Sequence, residues 1–277
     1  MSLSSDGTVL AVGAYANDGI NGFESGHVRV YTYANSQWSQ LGADIDGEAA
    51  GDESGYAVSL SSNGTVVAVG ADLNSGSPGS QSGHVRVYQF TNNAWTQLGA
   101  DIDGEAAGDR SGWSVSLSSD GTVLAVGAWG NDGNGDKSGH VRVHKYANSK
   151  WTQLGIDING EAAGDRFGES VSLSSDGTVL AVGAYANDGN CYNSGHVQVY
   201  KFTTTMPSTP QPTNKPTKLS TNKPTTKTPT NKPTNKPTSK KPTNKPTTKS
   251  PTNEPTTKSP TNMPTSKKPT NKPTKAN

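Results

Sequence analysis

Carboxylates are the residues with the widest chemical range in this chain, and they come in copies. The stretch DIDGEAAGD brings together Asp44, Asp46, Glu48 and Asp52, and it recurs as Asp101, Asp103, Glu105 and Asp109. NDG turns add Asp18, Asp132 and Asp188, with Asp136 just beyond the second of these. Carboxylates gathered on one concave face would bind cations or a basic partner, because like charges in a cleft focus their field. The same residues have a structural use, since Asp side chains in loops hydrogen-bond nearby backbone amides. Their near-verbatim repetition favours that capping role.

Other groups have residue types suited to metal or catalytic chemistry. Asp132, Asn134 and Asp136 have the alternate spacing that opens an EF-hand loop, but Lys137 and Val143 stand where Gly and a bidentate Glu are required. The other copies do not reproduce the spacing, and no metal or cofactor is expected. His27, His84, His140 and His196 each follow a glycine once per copy, which fits a repeated structural hydrogen bond better than one shared metal site. Trp38, Trp95 and Trp151 recur in the same way and are expected to pack rather than to form a sugar platform. Cys191 is the only cysteine, so no intramolecular disulfide exists. No G-x-S-x-G, H-E-x-x-H or phosphate-loop motif occurs. A carboxylate pair present in every copy does not mark a single catalytic dyad, and no enzyme is expected.

The elements that position these groups follow from the copying. SLSSDGTVLAVGA begins at Ser2, and close variants begin at Ser59, Ser116 and Ser172, with their turn residues Asp6, Asn63, Asp120 and Asp176 spaced 57, 57 and 56 apart. A fixed period of that size signals one supersecondary unit per repeat. Within a unit, VSLSS (115–119) alternates apolar and polar residues, as for a strand with one packed face. TVLAVGA (122–128) is almost continuously apolar, as for a strand covered on both faces. HVRVHKY (140–146) and WTQLG (151–155) complete four antiparallel strands joined by DGT and NDG turns. The chain therefore reads as all-β, with units at about 1–54, 55–111, 112–167 and 168–202, in the pattern of β-propeller blades. Alternating strand direction puts the NDG loops and the DIDGEAAGD connections on the same face.

FGESVSLSSDGTVLAVGAY (167–185) resembles the FG-GAP repeat of integrin-α-type propellers, with Phe167-Gly168 and Gly183-Ala184 at its ends. The likeness extends over all four units, although SGY and SGW replace the FG pair in the second and third. WD-repeat propellers are the alternative resemblance, with a shorter usual period of about 40–45 residues. The FG-GAP likeness implies a propeller fold and says little of function. Its calcium ligands do not carry over, because the turn between the first two strands is only SSDGT and supplies one carboxylate.

Composition divides the chain in two. Residues 1–202 contain one of the 17 prolines, Pro78, while 203–277 holds the rest together with 15 lysines and a single acid, Glu254. The net charge of +1 thus conceals an acidic body and a basic tail. The Thr/Pro/Lys-rich tail lacks apolar groups to bury and is expected to be disordered, with polyproline-II character. It reads as a stalk or spacer that contacts polyanionic wall or mineral surfaces. Nucleic acid is not expected there, since the lysines are not interleaved with stacking residues.

No run reaches the 18 apolar residues of a membrane helix, and no signal peptide opens the sequence. The first unit opens inside its first strand and the last stops after its third, so the chain reads as part of a longer propeller. Two consequences are expected. Leu3, Val9 and Val12 should lack a packing neighbour, and HVQVYKF (196–202) should be an open edge through which copies self-associate. The functional expectation is a non-enzymatic, cell-surface or secreted adhesion module with a protein or glycan ligand. An intracellular WD-like interaction scaffold and a fragment of a propeller hydrolase are the alternatives.

Overall fold

The computed structural model describes residues 1–189 and 191–202, and the backbone of Thr217–Lys218. It is all-β, with four antiparallel sheets and no helix among the described residues. Unit 1 comprises β1 (Ser2–Leu3), β2 (Val9–Ala14), β3 (His27–Ala34), β4 (Gln37–Gln40) and β5 (Ile45–Asp46). Unit 2 comprises β6 (Ala57–Leu60), β7 (Val66–Ala71), β8 (His84–Thr91), β9 (Ala94–Gln97) and β10 (Ile102–Asp103). Unit 3 repeats the plan with β11 (Ser114–Leu117), β12 (Val123–Ala128), β13 (His140–Ala147), β14 (Lys150–Gln153) and β15 (Ile158–Asn159). Unit 4 has β16 (Phe167–Leu173), β17 (Val179–Ala184), β18 (His196–Lys201) and β19 (Thr217–Lys218).

Each unit is an antiparallel meander, and in units 1–3 the third strand is long enough to take two partners along its outer edge. In unit 1, Tyr31 to Ala34 pair with β4, while His27 and Val28 pair with β5. In units 1–3 the four expected strands are therefore joined by a short fifth, built from the first half of the acidic connection. Its isoleucine explains why: Ile45, Ile102 and Ile158 are all buried.

Neighbouring units contact each other through their first strands, as propeller blades do around an axis. Three apolar clusters form the core, each shared by two successive units. Val9, Ala11, Val28 and Val30 of unit 1 meet Leu60, Val67 and Val69 of unit 2. The next two junctions use the equivalent residues. Polar contacts repeat as well: Ser2, Ser59 and Ser116 hydroxyls accept from the amides of Leu60, Leu117 and Leu173 at 2.9–3.0 Å. The backbones approach so closely that a Cβ on Gly13, Gly70 or Gly127 would lie 1.9, 2.0 or 2.1 Å from the carbonyl oxygen of Gly55, Gly112 or Gly168. Only glycine fits that crossing.

The SSDGT turns are closed by their own side chains. In the first, Asp6 accepts from the Ser4 hydroxyl and from the Thr8 amide and hydroxyl at 2.7–3.0 Å. These bonds, that from Ser4 foremost, hold its carboxyl down at about 2. The one carboxylate of this turn is thus already committed within the turn.

Two expectations are corrected here. Val9 is covered by unit 2 and only 9% exposed, because strand residues alternate between faces, whereas Leu3 on the other face is 58% exposed. The edge of β18 is also not bare: β19 pairs with it at Tyr200 and Lys201, in the register of a fourth strand. Apart from Thr217–Lys218, the expected disordered tail lies outside the described residues.

Candidate functional site

The acidic loops do lie together. Asn21 donates to the carbonyl of Gly47 at 2.6 Å, and the amide of Gly51 to the carbonyl of Phe23 at 2.8 Å, so the NDG loop and the connection of unit 1 are stitched side by side. Most of their carboxylates are occupied. Asp52 and Asp109 are buried; Asp52 accepts from the Ala49 amide and Asn74, and Asp109 from the Glu105 and Ala106 amides and Asn131, the asparagines belonging to the next unit. That burial takes both off the binding face. Glu48 and Glu105 each pair with an arginine of the following unit, Arg86 and Arg142. Asp18, Asp132 and Asp188 are exposed but cap the amides of Glu24, Lys137 and Asn193. Asp46, Asp103 and Asp136 remain exposed.

The histidines stand behind these ion pairs. His27, Asp44 and Asp46 place ligand-type atoms within 4.8 Å of one another, as do Glu48, His84 and Asp101, and Glu105, His140 and Asp157. In each group an arginine already supplies positive charge: Arg29 on Asp44, Arg86 on Glu48 and Asp101, Arg142 on Glu105. Burial, reinforced by Arg142, pushes His140 down to about 4 and the neighbouring His144 to about 3. These imidazoles are neutral near pH 7, and their surroundings are those of a junction between units. Trp95 and Trp151 are junction residues too, donating from Nε1 to the carbonyls of Leu41 and Leu98 at 2.8 and 2.7 Å.

A second cluster lies where the first strands begin and the second strands end. The residue after the second strand is Tyr15, Asp72, Trp129 and Tyr185 in the four units, and the residue after the crossing glycine Gly55, Gly112 or Gly168 is Tyr56, Trp113 and Glu169 in the last three. Their rings form a continuous row. Tyr15 meets Tyr56 at 5.3 Å between centroids, Tyr56 meets Trp113 at 4.5 Å, and Trp113 meets Trp129 at 5.5 Å. Arg166 extends the row, its guanidinium 4.7 Å from the Trp129 ring and 5.5 Å from that of Tyr185, with a 2.6 Å hydrogen bond to the Tyr185 hydroxyl. Tilted and edge contacts of this kind suit aromatic quadrupoles, and the arginine gains from lying over ring faces.

Carboxylates flank the row. Asp72 is fully buried and accepts from Arg110 at 3.1 Å through one oxygen, while the other has no partner. Burial raises the pKa of Asp72 and Glu169, and raises Tyr56 to about 12. Tyr15 and Tyr185, at the ends, are 45% and 50% exposed. Sequence reasoning missed this cluster. Its signal was present in the copying: these two positions vary among units, reading Tyr, Asp, Trp and Tyr after the second strand and Tyr, Trp and Glu after the crossing glycine.

The FG-GAP repeat family matches residues 101–143 and 159–200. No curated protein sequence matches the chain. Among solved structures, it is similar to a Bacteroides uniformis protein proposed to be a 6-phosphogluconolactonase, with 17% identity and a TM-score of 0.48 over 73% of this chain and 49% of that one. Hydrazine synthase from Kuenenia stuttgartiensis gives 14% identity and a TM-score of 0.45, over 72% and 44%. A periplasmic gluconolactonase from Pseudomonas aeruginosa gives 19% and 0.42, over 70% and 49%. The chain thus spans about half the length of these structures or less. Of the two resemblances legible in the sequence, the family match supports the first, over residues 101–143 and 159–200.

Proposed function

We propose that the chain is a non-catalytic binding module that acts at a cell surface or after secretion, with the aromatic row as its recognition surface. One observation carries this reading: two positions that vary between units, Tyr15/Asp72/Trp129/Tyr185 and Tyr56/Trp113/Glu169, bring Tyr15, Tyr56, Trp113, Trp129 and Tyr185 into one row. Scaffold residues such as Val28, Val85, Val141 and Val197 stay the same because every junction needs the same shape. Divergence at a shared place is what a surface shaped by a ligand requires. Partly exposed rings flanked by carboxylates and arginines suit a sugar face, since the rings stack on C–H surfaces while the charged groups bond hydroxyls. The basic Thr/Pro-rich segment beyond residue 202 serves as a stalk that adheres to polyanionic surfaces.

Retention of the purified chain on immobilised polysaccharides tests the proposal, with the Tyr15→Ala/Tyr185→Ala double variant beside it. The expected result is retention on a subset of the polysaccharides, weakened about tenfold or more in the variant, with no release of reducing ends. Equal retention of the variant, or turnover of the polysaccharide, would overturn the reading.

A further inference from the structure

The outward faces of the first and last units are the two halves of a junction that this chain builds three times internally. In units 2 and 3 every residue of the second strand is buried, whereas β17 alternates half-buried and buried residues and β2 keeps only Val9 and Ala11 buried. The missing cover is on opposite faces. Val28, Val85 and Val141 are fully buried by the following unit, and their equivalent Val197 is 63% exposed. Leu60 and Leu117 are 7% and 8% exposed against the preceding unit, and their equivalent Leu3 is 58% exposed.

Shape complements shape at the turns as well. A Cβ on Gly64, Gly121 or Gly177 would strike the side chain of Val9, Val66 or Val123 in the preceding unit, while one on Gly7 would meet nothing within 4 Å. The valine that would cover Gly7 is represented by Val179, half-buried on unit 4. The backbone bonds end in the same way. Ser5, Ser62 and Ser119 amides each donate to the serine carbonyl of the next unit at 2.9 Å, namely Ser62, Ser119 and Ser175. Among the described residues, no such backbone hydrogen bond joins unit 4 to unit 1. Unit 4 therefore offers Val179, Ala181, Val197 and the Ser175 amide, and unit 1 offers Leu3, Gly7, Val12 and the Ser5 carbonyl.

We propose that the outward face of unit 4 docks the outward face of unit 1 from a second copy of this chain, continuing the internal junction between molecules. Such a contact is heterologous, so it either closes into a ring or runs on as an open chain. Two copies closing on each other contain eight units, within the range of propeller rings. The docking surface is the sheet face rather than the backbone edge of β18, part of which β19 already covers.

Sedimentation velocity of the full chain at micromolar concentration tests this, with Leu3→Asp and Val197→Asp as variants. Both side chains are exposed, so neither change disturbs the fold, and circular dichroism checks that point. The wild type is expected at twice the chain mass or above, and each variant alone as a monomer. An equimolar mixture of the two variants should recover a dimer, because each keeps the face that the other has lost. A monomeric wild type overturns the proposal, as does a mixture that stays monomeric. Association blocked by Val197→Asp but untouched by Leu3→Asp would also overturn it, by assigning the contact to the β18 edge.

Discussion

Tyr56 and Trp113 stand in equivalent places in successive units, and their ring centroids are 4.5 Å apart. No single unit contains this contact; the stacking of units makes it. Trp113 touches a ring on either side, Tyr56 and Trp129. Trp113→Ala should therefore cost about 2–3 kcal/mol in urea unfolding, from lost burial and two lost ring pairs. Tyr15→Ala, at the exposed end of the row, should cost less than about 1 kcal/mol. Equal costs would mean that the row is not stacked as described.

Asp109 separates structural from accessible carboxylates. It accepts from the amides of Glu105 and Ala106 and from the Asn131 side chain at 3.0–3.2 Å, while 2% exposed. Asp109→Ala strands three donors in a buried setting and should destabilise the chain by about 2–4 kcal/mol. Asp136→Ala, on an exposed side chain, should lie within about 0.5 kcal/mol of wild type. Thermal unfolding of the two variants checks the contrast.

The crossing glycines provide an internal control. Gly70→Ala would put a Cβ 2.0 Å from the Gly112 carbonyl oxygen, and a backbone carbonyl at a packed junction has little room to yield. About 3 kcal/mol or more should be lost, or the chain should fail to fold. Gly183 has the same place in unit 4, but its Cβ would meet only the Ser170 hydroxyl, which rotates away. Gly183→Ala should express and melt close to wild type.

Acidification should weaken the fold through its buried imidazoles. His140 and His144 lie at about 4 and about 3 instead of 6.5, so the unfolded chain takes up protons that the folded chain refuses. Their contribution is present above pH 6.5 and is lost as pH falls from there toward 4. Glu105, Asp72 and Glu169 are raised by burial and offset part of the loss. The melting temperature should fall by several degrees across this window, and His140→Gln/His144→Gln should flatten the slope. A melting temperature that rises on acidification would contradict this assignment.

Much of the fold was legible in the sequence because its signals are local and repeated. The continuous apolar run in TVLAVGA reports a strand covered on both faces, and β12 is buried throughout, whereas the alternation in HVRVHKY under-reads β13, where His140, Arg142 and His144 are buried as well. The Ile45–Asp46 strand was hidden because a two-residue element leaves no period, and its acidic neighbours read as loop. Among the site residues, Asp52 and Asp109 looked like Asp46 and Asp103, since composition does not say which carboxylate turns inward. The aromatic row escaped for a different reason. Tyr15, Tyr56, Trp113 and Trp129 come from three units, and each is unremarkable within its own.

Hydrogen exchange with and without a retained polysaccharide tests the central claim most directly. The account predicts protection centred on the segments bearing Tyr15, Tyr56, Trp113, Trp129 and Tyr185, with the acidic connections at 44–52 and 101–109 unchanged. Protection confined to those connections, with the aromatic segments unaffected, would contradict it.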